Sequence, residues 1–196
     1  MNMIKKKYYL LSFLIIILLS ACTSKNGLKE YEKCLDILNN DMNYTISEII
    51  DGKSITYEFS NGMVHVYDKY SDTYYYTDDY KHYSLTYQKE NNVYIKEEID
   101  SIKPYELIGR FNSIYDYVEK NNFEFKDNEY ESLELNGTYN YDFKTHTPLK
   151  IEMALSDNKL YYFYEYYTID NKKYTDVIYI TDYGKTIIEL PQINTD

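Results

Sequence analysis

The sequence predicts an α+β protein: a curled antiparallel sheet of about ten strands with two helices against its concave face. Three observations predict it. Two stretches, near residues 28–38 and 104–118, carry apolar residues at helical spacing, whereas most of the remainder alternates with a period of two. The alternating runs are bounded by Asn-Gly, Asp and Ser turns, as antiparallel meanders require. The helical stretches are segregated from the strand runs, which disfavours a parallel α/β arrangement. So many strands do not stay flat and open, and a curled sheet buries both helix stripes.

The N-terminus comes first. Lys5, Lys6 and Lys7 precede an apolar run from Tyr8 to Leu19, followed by Leu19-Ser20-Ala21-Cys22. The run is too short to span a bilayer as a mature helix, and small residues before a cleavage point mark a signal peptide. The stretch resembles the bacterial lipoprotein signal, with its aliphatic–small–small–cysteine box. The resemblance implies cleavage after residue 21, a diacylglyceryl group on the Cys22 thiol with palmitate-type chains, and attachment to the outer leaflet of the cytoplasmic membrane. Two acyl chains give stable anchoring where one is marginal. An ordinary signal peptide or an uncleaved anchor is the competing reading. On this reading residues 1–21 are the signal, 22–27 a lipidated tether, and 28–196 one domain.

Leu28, Tyr31, Leu35 and Leu38 give the first helix its apolar stripe, ending near Asn39-Asn40. Ile55, Tyr57 and Phe59 then alternate with polar residues up to Asn61-Gly62, a strong hairpin signal, and Met63–Asp68 returns. Further strands are expected at Thr73–Thr77, Tyr80–Gln88 and Val93–Ile99. Pro104 opens the second helix, where its missing N–H is no loss. Leu107, Ile108, Phe111, Ile114, Tyr115 and Val118 form its apolar face, and Gly109 weakens it by about 1 kcal/mol relative to alanine. A second hairpin is expected from Tyr130–Leu135 through Asn136-Gly137 to Thr138–Lys144. Strands at Leu149–Leu155, Leu160–Ile169, Tyr174–Thr181 and Thr186–Leu190 complete the chain.

The 196 residues carry 21 basic and 32 acidic side chains, a net charge of −11, and 28 tyrosines without a tryptophan. Loss of the three signal lysines takes the charge to about −14, which disfavours nucleic acid and anionic headgroups as partners. With Cys22 committed to the lipid, Cys34 has no intrachain partner. It reads as a small hydrophobe on the first helix, or as one half of an interchain bridge.

No Gly-rich phosphate loop, nucleophile elbow, H-E-x-x-H or C-x-x-C motif is present, so neither an enzyme nor a cofactor or metal site is predicted. Asp78-Asp79-Tyr80-Lys81-His82 could set carboxylates near an imidazole, but a polar turn explains it equally well. The sequons at Asn43 and Asn136 read as chance matches.

The tyrosines remain. In the run 161–167, Y-Y-F-Y-E-Y-Y, the single charge Glu165 is costly to bury unpaired. That places Tyr162, Tyr164 and Tyr166 inward with Leu160, and Phe163 with Glu165 outward. Leu149, Ile151, Met153 and Leu155 form an aliphatic face, and Ile55/Tyr57/Phe59 and Tyr83/Leu85/Tyr87 are similar. A curled sheet that its helices fill incompletely is a pocket for an apolar ligand.

The helix–meander–helix–meander order resembles the LolA/LolB superfamily of lipoprotein carriers and related glycolipid-carrier lipoproteins. So do Thr147-Pro148-Leu149-Lys150-Ile151 and the ending Asp182-Tyr183-Gly184 … Ile187-Ile188-Glu189-Leu190-Pro191. The resemblance implies a half-open barrel whose concave face takes up acyl chains. The expected cavity residues are Tyr57, Phe59, Tyr83, Leu85, Tyr87, Leu107, Phe111, Ile151, Met153, Tyr162 and Tyr164. The expected function is a membrane-anchored lipoprotein that binds a lipid or other apolar ligand, as a carrier. The alternative is a surface lipoprotein without a cavity whose tyrosine-rich sheet binds a protein partner.

Overall fold

A computed structural model describes residues 28–120, 123–126, 129–132, 137–141 and 143–192. The basic segment, Cys22 and the tether lie outside the described residues, as does Asn136 of the second Asn-Gly pair. Helix α1 covers 28–40. It is followed by β1 (Tyr44–Ile50), β2 (Lys53–Ser60), β3 (Met63–Tyr67), β4 (Asp72–Asp78), β5 (Lys81–Gln88) and β6 (Val93–Ile99). Helix α2 (Tyr105–Lys120) precedes β7 (Phe123–Lys126), β8 (Glu129–Ser132), β9 (Tyr139–Tyr141), β10 (Lys144–Ser156), β11 (Lys159–Ile169) and β12 (Lys172–Thr181).

All strands belong to one antiparallel sheet in the order β6-β5-β4-β3-β2-β1-β12-β11-β10-β8-β7, with β9 on the first part of β10. The sheet does not close; β6 and β7 are its edges. The class is the α+β curled sheet that the periodicities predict. Both helices lie on one face. Tyr31, Cys34, Leu35 and Leu38 of α1 and Leu107, Ile108, Phe111, Ile114 and Val118 of α2 are buried with Tyr44, Ile46, Phe59, Val64, Ile151, Met153, Phe163, Ile178 and Ile180 of the sheet. The Tyr31 hydroxyl donates to the Phe111 carbonyl at 2.9 Å and the Tyr44 hydroxyl to the Leu38 carbonyl at 2.7 Å, so each helix is tied to its neighbour. Cys34 is fully buried with a free thiol, and burial first, then the nearby Glu30 charge, pushes that thiol up to about 12.

The Asn61-Gly62 hairpin is present: Ser60 pairs with Met63, and both turn residues have positive φ, 51° and 75°. That is the twist-matched two-residue turn Asn-Gly favours. The expected Tyr130–Leu135/Thr138–Lys144 hairpin does not form. Strand β8 pairs with β7 and with the far half of β10, whereas β9 pairs with Lys144–His146. Strand β1 was not anticipated, although Tyr44, Ile46 and Glu48 alternate inward. Thr186–Leu190 is not a strand. β12 already has β1 and β11 as neighbours, and the segment is held instead by hydrogen bonds among Asn43, Ser60 and Thr186.

The register of β11 is the opposite of the expectation. Met153 faces Phe163 and Ile151 faces Glu165; Phe163 and Glu165 are fully buried, and Tyr167 nearly so. Tyr162, Tyr164 and Tyr166 therefore lie on the outer face, where Tyr162 packs on Tyr179 at 5.4 Å. Leu160 stays inside because a bulge between Ala154 and Leu155 resets the alternation. A second bulge between Pro148 and Lys150 turns Leu149 out to 46% exposure, off the aliphatic face, and accommodates a proline within a strand. Tyr83, Leu85 and Tyr87 also face outward: their neighbours Ser84 and Thr86 are in register with the inner row through Tyr75 and Thr73. Leu85 is buried there outside the main core.

The register has a direct test. Phe163→Ala should cost about 3–5 kcal/mol in urea denaturation, the usual range for a buried phenylalanine. Tyr164→Ala should cost about 1 kcal/mol or less, as for a cross-strand surface pair. The reverse order would put the wrong face inside.

Candidate functional site

The inner face carries one polar break. Glu48 on β1, Glu165 on β11 and Asp176 on β12 each occupy an inward position in an otherwise apolar alternation. Glu165 and Asp176 are directly opposite each other in the register, and both are fully buried. Like charges at opposed strand positions repel and desolvated carboxylates are costly, so this arrangement needs a cation.

Arg110, the single arginine of the sequence, supplies it from α2. Its position three residues after Leu107 and four before Ile114 places it on the buried helix face, where it is 1% exposed. Nη2 donates to Glu165 Oε2 at 2.7 Å; Nη1 donates to Asp176 Oδ2 and more distantly to Glu48 Oε1 at 3.5 Å. The Tyr139 hydroxyl donates to Glu165 Oε2 at 2.6 Å, and the Tyr57 hydroxyl to Glu48 Oε2 at 3.1 Å. The guanidinium also lies 5.3 Å from the Tyr141 ring and 5.7 Å from those of Phe163 and Tyr167.

One cation faces three carboxyl groups, and the imbalance shows in their protonation. Burial, then the Asp176 charge, raises Glu48 to about 7 against the pull of Arg110. Glu165 is also raised, chiefly by burial. Arg110 Nε, Glu165 Oε1 and Asp176 Oδ1 are buried without a hydrogen-bond partner.

Above this cluster opens a cleft of about 470 Å³. Glu48 and Arg110 form its floor; Ile50, Ile55, Tyr57, Tyr141, Tyr167 and Tyr174 contribute walls, with Lys144 and Asp170 also lining it. His146, Tyr167 and Tyr174 of this lining belong to a column of rings that continues to Tyr139, with successive centroid distances of 4.9, 4.6 and 5.6 Å from Tyr139 to Tyr174.

Of the residues expected to line a cavity, Tyr57 lines this cleft. Phe59, Leu107, Phe111, Ile151 and Met153 converge on the inner face but are packed into the core, with Phe111 edge-on to Phe163 at 5.8 Å. Tyr83, Leu85, Tyr87, Tyr162 and Tyr164 are on the other face. The three histidines are separated: His65 bridges Glu58 and Asp72 on the outer face at 2.9 Å each, His82 bonds Thr77, and His146 is in the ring column. Asp78–His82 forms the β4–β5 turn, with Asp79 and Tyr80 at positive φ. Among the described residues no group of three or more His, Cys, Asp or Glu side chains is placed to hold a metal ion.

Sequence reasoning missed Arg110, Glu48 and Asp176. The available signal was four charged residues standing at inward positions of apolar repeats, one on a helix and three on strands.

No protein-family model matches this chain, and no curated protein matches it.

The cluster generates two expectations. Arg110→Met leaves three buried carboxyl groups without their cation and should destabilise by about 3–5 kcal/mol, the cost of breaking a buried pair from one side. The second concerns pH. Glu48 has a folded value near 7 against an ordinary value of 4.5, so the folded state holds its proton longer. Its contribution is present below 4.5 and is lost as pH rises through 7. Glu48→Gln should therefore raise the thermal midpoint relative to the parent at pH 8, with the gain shrinking toward pH 4; a pH-independent difference would contradict the assignment.

Proposed function

We propose that this protein is a membrane-anchored lipoprotein of the cell envelope that binds a lipid or other apolar ligand in the cleft between the inner sheet face and α2. The carrying observation is the cleft itself. It is concave, walled by Ile50, Ile55 and four tyrosines, and has a few convergent polar groups and a carboxyl group with a strongly raised pKa at its floor. Ligand sites combine these features. The anchor reading rests on Leu19–Cys22.

The location of the ligand follows from packing. The centre of the concave face is filled by Phe59, Phe111, Met153 and Phe163, all at 1% exposure or less, so an acyl chain there would have to displace side chains. Toward the β1–β2 and β11–β12 turns, the walls contribute Ile50, Ile55 and Ile169. A chain laid on them gains about 0.8 kcal/mol per buried CH₂. Because α2 is pinned by Arg110, the cleft admits a ligand without the helix moving.

The test is native mass spectrometry of residues 22–196 carrying Cys22→Ser, purified without detergent and then offered phosphatidylglycerol, phosphatidylethanolamine and fatty acid. A one-to-one adduct, reduced at least tenfold by Ile55→Trp, supports the proposal. A bare mass with every lipid would overturn it and leave the outer tyrosine face, where Tyr179 is 44% exposed, as the surface to test for a protein partner.

A further inference from the structure

The donors and acceptors at the cleft floor do not balance. Arg110 spends both terminal nitrogens on Asp176, Glu48 and Glu165. Three of the five guanidinium N–H groups are used in this way, while Arg110 Nε and two carboxylate oxygens, Glu165 Oε1 and Asp176 Oδ1, are buried without partners. Glu48, 4% exposed, is held by Arg110 only at 3.5 Å and reaches the cleft directly. The floor is thus short of positive charge, with one guanidinium against three carboxyl groups. Its walls are four tyrosine rings, and Arg110 already lies over two of them, showing that their faces accept a cation. Carboxylates joined to aromatic walls are the chemistry by which proteins hold alkylammonium groups.

Resting on the cleft reading above, we infer that the ligand is a cationic amphiphile, with an ammonium headgroup held by Glu48 and the rings of Tyr57, Tyr141 and Tyr174, and its chain along Ile50 and Ile55. An anionic head is disfavoured because three carboxyl groups already occupy the guanidinium. At the lining, the charges of Lys144 and Asp170 offset each other. Tyr57 from β2, Asp176 from β12 and Arg110 from α2 act directly on Glu48, and the other titratable groups of the lining are Tyr141 from β9, Lys144 and His146 from β10, Tyr167 from β11, Asp170 and Tyr174. Among these Arg110 is the cation buried in the carboxylate cluster. A bound ammonium favours ionised Glu48, so binding releases a proton and strengthens as pH rises from 6 to 8.

The experiment is calorimetric titration of residues 22–196 with Cys22→Ser, a chain containing every described element. The ligands are octylammonium, octyltrimethylammonium, octyl sulfate and octyl glucoside, each below its micelle concentration. The two ammonium compounds should bind about tenfold or more tighter than the others, the ratio expected of one charge-assisted contact. Glu48→Gln should remove that preference and the proton release. Tyr174→Leu should weaken octyltrimethylammonium more than octylammonium. If all four octyl compounds bind alike, or if Glu48→Gln retains the preference, the headgroup assignment is wrong and the apolar cleft stands. If none binds, both readings fail.

Discussion

Glu165 and Asp176 can share the inner face of neighbouring strands because Arg110 enters between them from α2. Without it two desolvated carboxyl groups would oppose each other across the β11–β12 ladder. With it, the helix is fixed in height and rotation against the sheet, since a planar guanidinium satisfies two carboxylates only from one position. The apolar stripe of α2 could slide by a turn along an apolar wall; the ion cluster cannot. Buried ion networks add little net stability compared with apolar side chains of equal volume. Here the network serves as a registration device. It also determines where the core stops and the cleft starts, because no apolar side chain can cover its outer edge without stranding Glu48.

The same constraint explains what the sequence disclosed and what it hid. Both helices, the Asn61-Gly62 hairpin and most strands follow from periodicity and turn chemistry, which are local. The β11 register is not local. Glu165 was expected outside because an unpaired buried charge is costly, and that premise is sound; its partner is 55 residues away on another element. A helix position that would look anomalous alone, an arginine among Leu107, Phe111 and Ile114, is explained by the same pairing. Two anomalies of opposite sign on predicted inward faces are the legible trace of such a cluster. The bulges at Leu149 and Leu155 were beyond reach because an inserted residue leaves no mark on the alternation until the partner strand is known.

Tyrosine takes several roles here that other proteins divide among different residues. Inside, Tyr31, Tyr44 and Tyr183 bury rings while their hydroxyls cap carbonyls at 2.9, 2.7 and 2.6 Å. At the cleft, Tyr57 and Tyr139 direct hydroxyls at carboxylates. Outside, Tyr74 stacks on His65 at 4.0 Å and Tyr94 reaches Asp72 at 2.9 Å. One side chain, apolar in body and polar at its tip, thus covers both walls of the sheet.

The open sheet has a further consequence, for self-association. A concavity reached from one side requires that the sheet not close, and each unclosed edge is a row of unpaired amides on which another strand could grow. The two edges are unequal in length but alike in outcome. Strand β7 is four residues long, too short to template much of a ladder. Strand β6 is seven residues long and carries Lys96, Glu97 and Glu98 in succession, charged side chains of the kind that blunt an exposed edge. The fold thereby combines an accessible interior with one short edge and one charged edge.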